Sequence, residues 1–430
     1  MKNPIKNYFI SFAKSNEVCG FWCWFGKFVI LLYHWNRSVY QENNIVMKLN
    51  KIGLLPRILL SIVLGIGFGM FLPLWCVRLF ATFNGLFSEL LGFSIPLIIL
   101  GLVSVAIADF GSKAGKMLLI TACLAYGFTI FSGLFSYLVS DLTFPLLIEP
   151  GALAEELANV DKVEPYMSMN IPPLMGVMTA LVLSFVLGIG MAAIDSKSLR
   201  SVMVDFQDIV VKLIEKCIIP LLPLYIFGIF MVMTAEGQVT TVLLSFLKVI
   251  GIIFLVHIAV LLLQYCIAGF VVKKNPLRLL WTMLPAYFTA LGTMSSAATI
   301  PVTLEHAKRN GVRPETAGFV IPLCATIHLS GSTLKIVACA IALMLMQGMS
   351  YDFPLMLNFI LMLGVTMVAA PGVPGGAIMA ALGILASILG FNEQDQALMI
   401  ALYIAMDNFG TACNVTGDGA VALIVDRIKV

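Results

Sequence analysis

The sequence predicts an all-α, polytopic membrane protein with eight membrane-spanning helices and two re-entrant helical hairpins. Apolar residues make up 60% of the 430 residues and charged residues only 11%, and the mean hydropathy is +1.00, whereas about 25% of the residues in a soluble domain are charged. Apolar runs of the roughly 20 residues that can cross a bilayer recur along the chain. Because a backbone in lipid must satisfy its own hydrogen bonds, we expect these runs to be helices. The formal net charge of +3 is too small to indicate a nucleic-acid-binding protein.

The first 46 residues are predicted to lie outside the membrane domain. Residues 18–35 are apolar and aromatic, but this run is short and Lys27 interrupts it. The small-residue cleavage site of a signal peptide is missing. At Met47 a basic stretch leads into a long apolar run. We therefore interpret residues 1–46 as a dispensable N-terminal extension and residues 47–430 as a single membrane domain.

Six spans are predicted in the first part of the membrane domain. They lie at residues 57–77, 79–108, 117–140, 173–194, 209–235 and 239–272. Basic residues occupy alternate connections, such as Lys113 and Lys116 in one and Lys273 and Lys274 in another. The opposite connections are acidic or nearly uncharged, above all residues 141–164. By the positive-inside rule the basic connections are cytoplasmic, and this alternation agrees with six crossings.

Two later segments are predicted to be re-entrant hairpins. Residues 276–307 have basic residues near both ends and the run GTMSSAATIP in the middle. Residues 353–391 have acidic residues at both ends, and APGVPGGA separates two arms that are too short to cross a bilayer at a tilt. A helix with polar residues follows each hairpin, at residues 314–347 and 396–425. Hairpins that enter from opposite sides are typical of inverted repeats whose broken helices meet near the bilayer midplane.

The strongest functional signal lies in the last of these helices. Four polar residues share one of its faces, at spacings that match the helical period: Asp407, Thr411, Asn414 and Asp418. A charged residue at the centre of a spanning helix costs about 2.5–3.5 kcal/mol. One explanation is a polar interface between helices. We favour a stripe that faces a solute and a co-transported cation, because carboxylate and carbonyl oxygens suit a hard cation and Asp407 could receive an ammonium group.

A second signal is CATIHLSGSTLK, residues 324–335, in the preceding polar helix. Its SGS sequence favours local unwinding, which would free backbone carbonyl groups. His328 is either a satisfied core residue or a proton carrier. Lys335 needs a carboxylate or carbonyl partner or a route to the interface, so a structural and a functional role both stay open. The nine cysteines form no CxxC pair and have no metal-ligand spacing with the histidines, so we expect free thiols.

The hairpin tips are a third signal. Small residues there let the backbone approach a ligand closely, and amide groups at the start of a half-helix favour an anionic group such as a carboxylate. Small residues also mediate ordinary helix packing. The position of GVPGG, between two half-spans and before the helix with two aspartates, favours ligand binding.

These motifs, in this order and spacing, resemble those of the dicarboxylate/amino acid:cation symporter family, the glutamate transporter homologues. The resemblance covers residues 47–430 and rests on SSAATIPVT, ATIHLSGST, GVPGG and NVTGD. It implies a homotrimer in the cytoplasmic or inner membrane. Scaffold helices at residues 57–108 and 173–235 would hold a transport region, residues 117–140 and 239–430, that moves like an elevator.

The resemblance also implies roles for individual residues. Asp407 would bind the amino group of the substrate and Asn414 its α-carboxylate. The other residues of the implied substrate pocket are Thr411, Ser332, Ser296, Ala297, Gly410 and, at the gate, Val373, Pro374 and Gly375. The implied cation ligands are the Asp418 carboxylate with carbonyl groups near Asn414, Cys324 and His328 and, in a second site, carbonyl groups near Thr326.

Several residues depart from the family pattern and change the expected substrate. Acidic-substrate members carry an arginine at the position of Gly410, and some carry another at the position of Met294. Without either cation a side-chain carboxylate would have no partner, so we expect a small neutral substrate such as serine, threonine or alanine. Ser330 replaces a family aspartate, so we expect one cation site to be lost. Lys335 stands where a neutral residue is usual and is a candidate surrogate charge.

The predicted function is a secondary active symporter that imports a small neutral amino acid with a cation, either sodium or a proton, and uses no other cofactor. One alternative is a symporter for C4-dicarboxylates or acidic amino acids in which Lys335 supplies the cation. The others are a membrane-embedded enzyme that uses the paired aspartates as acid and base, and a channel. The hairpins have no evident catalytic role, so we predict a transporter rather than an enzyme.

Overall fold

Helices account for the regular structure in the described part of the chain. The computed structural model describes residues 54–112, 116–153, 163–194, 196–368, 370 and 375–428. The predicted extension at residues 1–46 lies outside these ranges, as do the predicted gate residues Val373 and Pro374.

The described α-helices are numbered in chain order. The first seven are α1 (Leu54–Phe71), α2 (Leu74–Ser112), α3 (Lys116–Leu147), α4 (Val177–Ala193), α5 (Lys197–Leu213), α6 (Ile219–Ala235) and α7 (Val239–Val272). The others are α8 (Pro276–Thr293), α9 (Ser296–Arg309), α10 (Pro314–Ile327), α11 (Ser330–Met346), α12 (Phe353–Val368), α13 (Gly376–Leu389), α14 (Glu393–Ala405) and α15 (Asp407–Arg427). A π-helical turn, Ile214–Ile218, joins α5 to α6.

Six described helical stretches are long and apolar enough to cross a membrane: α1, α2, α3, α5–α6, α7 and α10–α11. The bent pair α14–α15 also qualifies when its two helices are taken together. The chain is therefore a multi-pass membrane protein. The helical stretch that contains the span predicted at residues 209–235 begins earlier, at Lys197, because the amphipathic α5 precedes the apolar α6.

The helices form two groups according to their contacts. In one group α2 packs against α4, α5 and α6. In the other, α3 and α7–α10 surround α15, while α11 packs against both α3 and α15. Most residues of α11 and α15 are buried. Polar residues of these helices such as Lys335, Asp407, Asn414 and Asp418 therefore face protein rather than lipid.

Helices α8 and α9 pack against each other, and we call them the first helix pair. They occupy the predicted hairpin at residues 276–307. The turn between them is fixed by the sequence: α8 ends at Met294, which has a left-handed φ of 52°, and the Ser295 hydroxyl caps α9 by accepting the Ala298 N–H. The N-terminus of α9 therefore begins at the tip of the pair.

Helices α12 and α13, the second helix pair, also pack against each other and occupy the predicted hairpin at residues 353–391. Gly375 immediately precedes α13 and has a φ of 76°, a conformation that favours glycine. Gly390 ends α13 in the same conformation, with a φ of 73°. Gly375, one of the glycines predicted to interrupt this segment, thus immediately precedes its second helix.

The two polar helices predicted to follow the helix pairs are each broken. The helix at residues 314–347 is divided at His328 and Leu329, so the break precedes SGS, which forms the first turn of α11 rather than unwound chain. The helix at residues 396–425 is divided at Met406, with a bend of 63°. Because Met406 is neither proline nor glycine, composition does not reveal this break. The bend places Asp407 at the N-terminus of α15.

Candidate functional site

A cavity lies where the tip of the first helix pair, the break between α10 and α11, the start of α13, the end of α14 and the start of α15 meet. The predicted residues that line it are Ser296, Thr326, Ser332, Gly375, Asp407, Thr411 and Asn414. The cavity volume is about 50 Å³. Small-molecule pockets usually enclose roughly 300–1,000 Å³, so this cavity is small.

Some predicted residues lie elsewhere, and one lining residue was missed. Ala297 and Gly410 do not line the cavity. Cys324, His328 and Asp418 are buried away from it. Tyr403, which sequence reasoning treats as a core residue, does line it. Its spacing of four residues from Asp407 could not have identified it, because the break at Met406 places the two residues in different helices.

Among the described residues that line the cavity, Asp407 alone carries a charge. Its Oδ2 atom accepts a hydrogen bond from the Gly375 N–H at 3.0 Å. Its Oδ1 atom lies 3.5 Å from the Lys335 ammonium. The carboxylate also stands at the N-terminus of α15, where the helix dipole favours negative charge. Both carboxylate oxygens therefore have protein partners in this structure.

Asn414 and Ser332 join α15 to α11 beside the cavity. The Asn414 Oδ1 atom accepts the N–H groups of Gly331 and Ser332 at 2.7 and 3.3 Å, which satisfies the N-terminus of α11. The Asn414 side-chain amide and the Tyr403 hydroxyl both donate to the Ser332 hydroxyl, at 3.1 and 3.0 Å. These bonds agree with the polar-interface explanation, yet the same side chains also line the cavity.

Gly331 permits the close contact between α11 and α15. A Cβ atom at this position would lie 2.5 Å from both the Cys413 Cβ and the Gly410 carbonyl oxygen. Real Cβ atoms do not approach backbone atoms this closely. The glycine of the SGS sequence therefore allows α11 and α15 to pack closely.

Lys335 is buried, with a 1% exposed side chain, and does not extend to an interface. Its ammonium lies 3.1 Å from the Met406 carbonyl oxygen and 3.8 Å from the centroid of the Tyr403 ring. A Cβ atom on Gly410 would lie only 2.3 Å from the ammonium nitrogen. The lysine thus fills the space beside Gly410 and pairs with Asp407.

A second buried acid–base pair lies deeper in the protein. The His328 Nδ1 atom is 2.9 Å from the Asp418 Oδ1 atom, and both side chains are at most 1% exposed. The backbone N–H of His328 donates to the Cys324 carbonyl oxygen at 2.9 Å, as the last hydrogen bond at the C-terminus of α10. The imidazole therefore occupies one oxygen of the carboxylate predicted to bind a cation.

Several polar atoms around this pair have no hydrogen-bond partner among the described residues. They are the Nε2 atom of His328 and both side-chain amide atoms of Gln264. Gln264 and His328 both lie next to Gly417, whose missing Cβ leaves room for them. Buried polar groups usually have partners, so this cluster is suited to water or a small ion.

The cavity can therefore accept one positive group at Asp407 and bind a carboxylate through hydroxyl groups, the Asn414 amide and the N-terminus of α9.

A sequence model of the sodium:dicarboxylate symporter family matches residues 54–428. The chain is 28% identical over 400 residues to the serine/threonine transporter SstT of Acinetobacter baumannii, covering 88% of this chain and 97% of that protein. It is 26% identical over 398 residues to SstT of Acinetobacter baylyi, covering 88% and 98%. It is also 32% identical over 162 residues to the neutral amino acid transporter B(0) of Rattus norvegicus, covering 36% and 29%.

Proposed function

The chain belongs to the sodium:dicarboxylate symporter family, and we propose that it imports a small neutral amino acid, such as serine, threonine or alanine, together with sodium. It is a transporter rather than an enzyme. The curated relatives that match nearly its full length are serine/threonine transporters. Their names agree with the substrate class that the cavity supports.

The observation that carries this proposal is the charge of the cavity. Among its described lining residues Asp407 is charged, and none carries a positive charge. Position 410 is glycine, and Met294 stands at the tip of the first helix pair. A substrate ammonium would have a carboxylate partner, whereas a side-chain carboxylate would meet no cation inside the cavity. Burying an unpaired charge is costly, so acidic substrates are disfavoured.

We place the substrate ammonium at Asp407 and the substrate carboxylate near Asn414 and the start of α9. Thr411 and Ser332 would contact the rest of the molecule. The cavity of about 50 Å³ is too small for an amino acid. We propose that the segment predicted as the gate, Val373, Pro374 and Gly375, moves to admit the substrate.

We place a coupling cation at Asp418, with carbonyl groups near Asn414, Cys324 and His328. The buried polar atoms without partners near Asp418 support this position. For an ion to use both carboxylate oxygens, the His328 ring would have to move aside. A second cation would use carbonyl groups near Thr326, which lines the cavity. Ser330 in place of the family's aspartate supports fewer coupled cations than in acidic-substrate relatives.

For the architecture, we propose that both helix pairs are re-entrant hairpins. The second helix of each pair has only 14 residues, below the range of about 17–25 that a span needs, and the tips of both pairs meet at one cavity. The pairs enter from opposite sides, and eight helices cross the membrane as inverted repeats. The helices at residues 57–108 and 173–235 form a scaffold, and the rest of the membrane domain moves like an elevator within a homotrimer in the cytoplasmic or inner membrane.

A symporter for acidic amino acids or C4-dicarboxylates is the second candidate. Lys335 favours it, because its ammonium lies beside Gly410, where acidic-substrate relatives carry an arginine. Against it, the ammonium is buried behind Asp407 and does not line the cavity. To bind a substrate carboxylate, Lys335 would have to leave its present partners.

A competition assay in proteoliposomes distinguishes the two candidates. Uptake of labelled serine is driven by an inward sodium gradient, with choline replacing sodium in the control. We expect excess unlabelled serine, threonine or alanine to suppress uptake, and aspartate and succinate to leave it unchanged. Suppression by aspartate or succinate, with transport of the labelled acid, would favour the second candidate. Uptake that neither saturates nor follows the gradient would contradict both.

A further inference from the structure

Lys335 holds its position independently of Asp407. The Met406 carbonyl at the C-terminus of α14 lies closer to the ammonium, at 3.1 Å, than the Asp407 carboxylate does, at 3.5 Å. The negative end of a helix dipole favours a cation there. The Tyr403 ring centroid, 3.8 Å from the ammonium, adds a cation–π contact. The carboxylate can therefore turn from the lysine to another cation while the lysine stays in place.

In the empty carrier, the positive charge that the described residues offer to the Asp407 carboxylate is the Lys335 ammonium. With no substrate bound, the described partners of the carboxylate are the Gly375 N–H and the Lys335 ammonium. Removing the lysine would leave a buried negative charge with one neutral donor. A charge in this state opposes movement through a low-dielectric environment. When a substrate is bound, its own ammonium provides the opposite charge at Asp407.

We infer that Lys335 is a tethered substitute for the ammonium group of the substrate, and that it lets the empty carrier reorient without a counter-transported ion. This inference rests on the proposed binding of a substrate ammonium at Asp407. Its consequence is that the protein performs net uptake and is not limited to exchange of one substrate molecule for another. Lys335 is a positioning residue, because it acts on the substrate through Asp407.

The test compares net uptake with exchange in the same proteoliposome preparations. Net uptake is measured as labelled serine entering amino-acid-free vesicles under an inward sodium gradient. Exchange is measured as labelled serine entering serine-loaded vesicles with equal sodium on both sides. Net uptake requires the empty carrier to return, whereas exchange does not. If the wild-type protein exchanges no neutral amino acid at all, the proposed function is refuted rather than the role of the lysine.

The Lys335→Met variant removes the charge and keeps an unbranched side chain of similar size. We expect its ratio of net uptake to exchange to fall by about tenfold or more relative to wild type, with most of the exchange retained. An unchanged ratio would overturn the inference. Equal loss of both activities would overturn it as well, because the lysine would then be needed in the loaded carrier or for folding.

The Gly410→Ala variant tests the same idea while keeping the charge. Its Cβ atom would lie 2.3 Å from the Nζ atom and 2.4 Å from the Cε atom of Lys335, the flexible end of that side chain. The ammonium should therefore shift away from Asp407, and the ratio of net uptake to exchange should fall as in Lys335→Met. Gly318→Ala is the matched control, since no heavy atom lies within 4 Å of its added Cβ. A normal ratio in Gly410→Ala, or an equal fall in Gly318→Ala, would contradict the inference.

Discussion

Replacing Asp407 by asparagine should destabilise the protein, because Lys335 then loses its carboxylate partner. From the sequence alone, the substitution only removes a buried charge and should be harmless to folding. The structure changes this expectation, since the Lys335 side chain is 1% exposed and that of Asp407 is 8% exposed. Removing one partner of a buried ion pair costs about 3–5 kcal/mol. We expect the lower end, about 3 kcal/mol, because the Met406 carbonyl and the Tyr403 ring still contact the ammonium.

The pairing itself is measured by a double-mutant cycle. Unfolding of purified, substrate-free protein in detergent is followed for wild type, Asp407→Asn, Lys335→Met and the double variant. We expect the double variant to be more stable than either single variant, with an interaction energy of about 2–3 kcal/mol, as for residues in direct contact. Additive losses would show that the two side chains are not coupled and would refute the reasoning.

A partly exposed ion pair provides a control for this cycle. Asp426 lies 2.7 Å from Arg313, with side chains that are 18% and 54% exposed. Exposed pairs contribute about 0–1 kcal/mol. Asp426→Asn should therefore change the stability far less than Asp407→Asn. A loss of similar size in both variants would show that burial does not govern the effect.

Three further predictions concern other parts of the chain. Asp418→Asn should weaken the sodium dependence of serine uptake, measured as substrate affinity against sodium concentration, and an unchanged dependence would remove Asp418 from the cation site. Deleting residues 1–46 should leave membrane insertion, assembly and serine uptake intact, and loss of insertion would show that the segment is a structural element. Gly331→Ala should lower the free energy of unfolding by about 1–3 kcal/mol, because its Cβ would lie 2.5 Å from the Cys413 Cβ and the Gly410 carbonyl oxygen. A free energy of unfolding equal to that of Gly318→Ala would contradict this packing.

The sequence predicted the features that composition and spacing encode. The spans follow from long apolar runs, and the helix pairs follow from short arms around small residues. The face shared by Asp407, Thr411 and Asn414 follows from the helical period, and all three line the cavity. These inferences depend on local patterns, which are visible in a single sequence.

The side-chain pairing at the site could not be predicted in this way. Lys335 and Asp407 are 72 residues apart, and His328 and Asp418 are 90 residues apart. No periodicity connects such positions, because their contact depends on how α11 and α15 pack. The break at Met406 also lacks a proline or glycine to mark it. Tyr403 was missed because its role depends on that bend, which brings the end of α14 to the cavity.

The most direct test of the central claim is serine counterflow by the double variant Asp407→Asn with Lys335→Met. This variant lacks both charges of the buried pair, so it should remain folded while lacking the carboxylate for a substrate ammonium. We predict that serine-loaded proteoliposomes containing it take up no labelled serine above the protein-free background, whereas wild type does. Counterflow at the wild-type rate would show that the substrate ammonium does not depend on Asp407, and would contradict the proposed site.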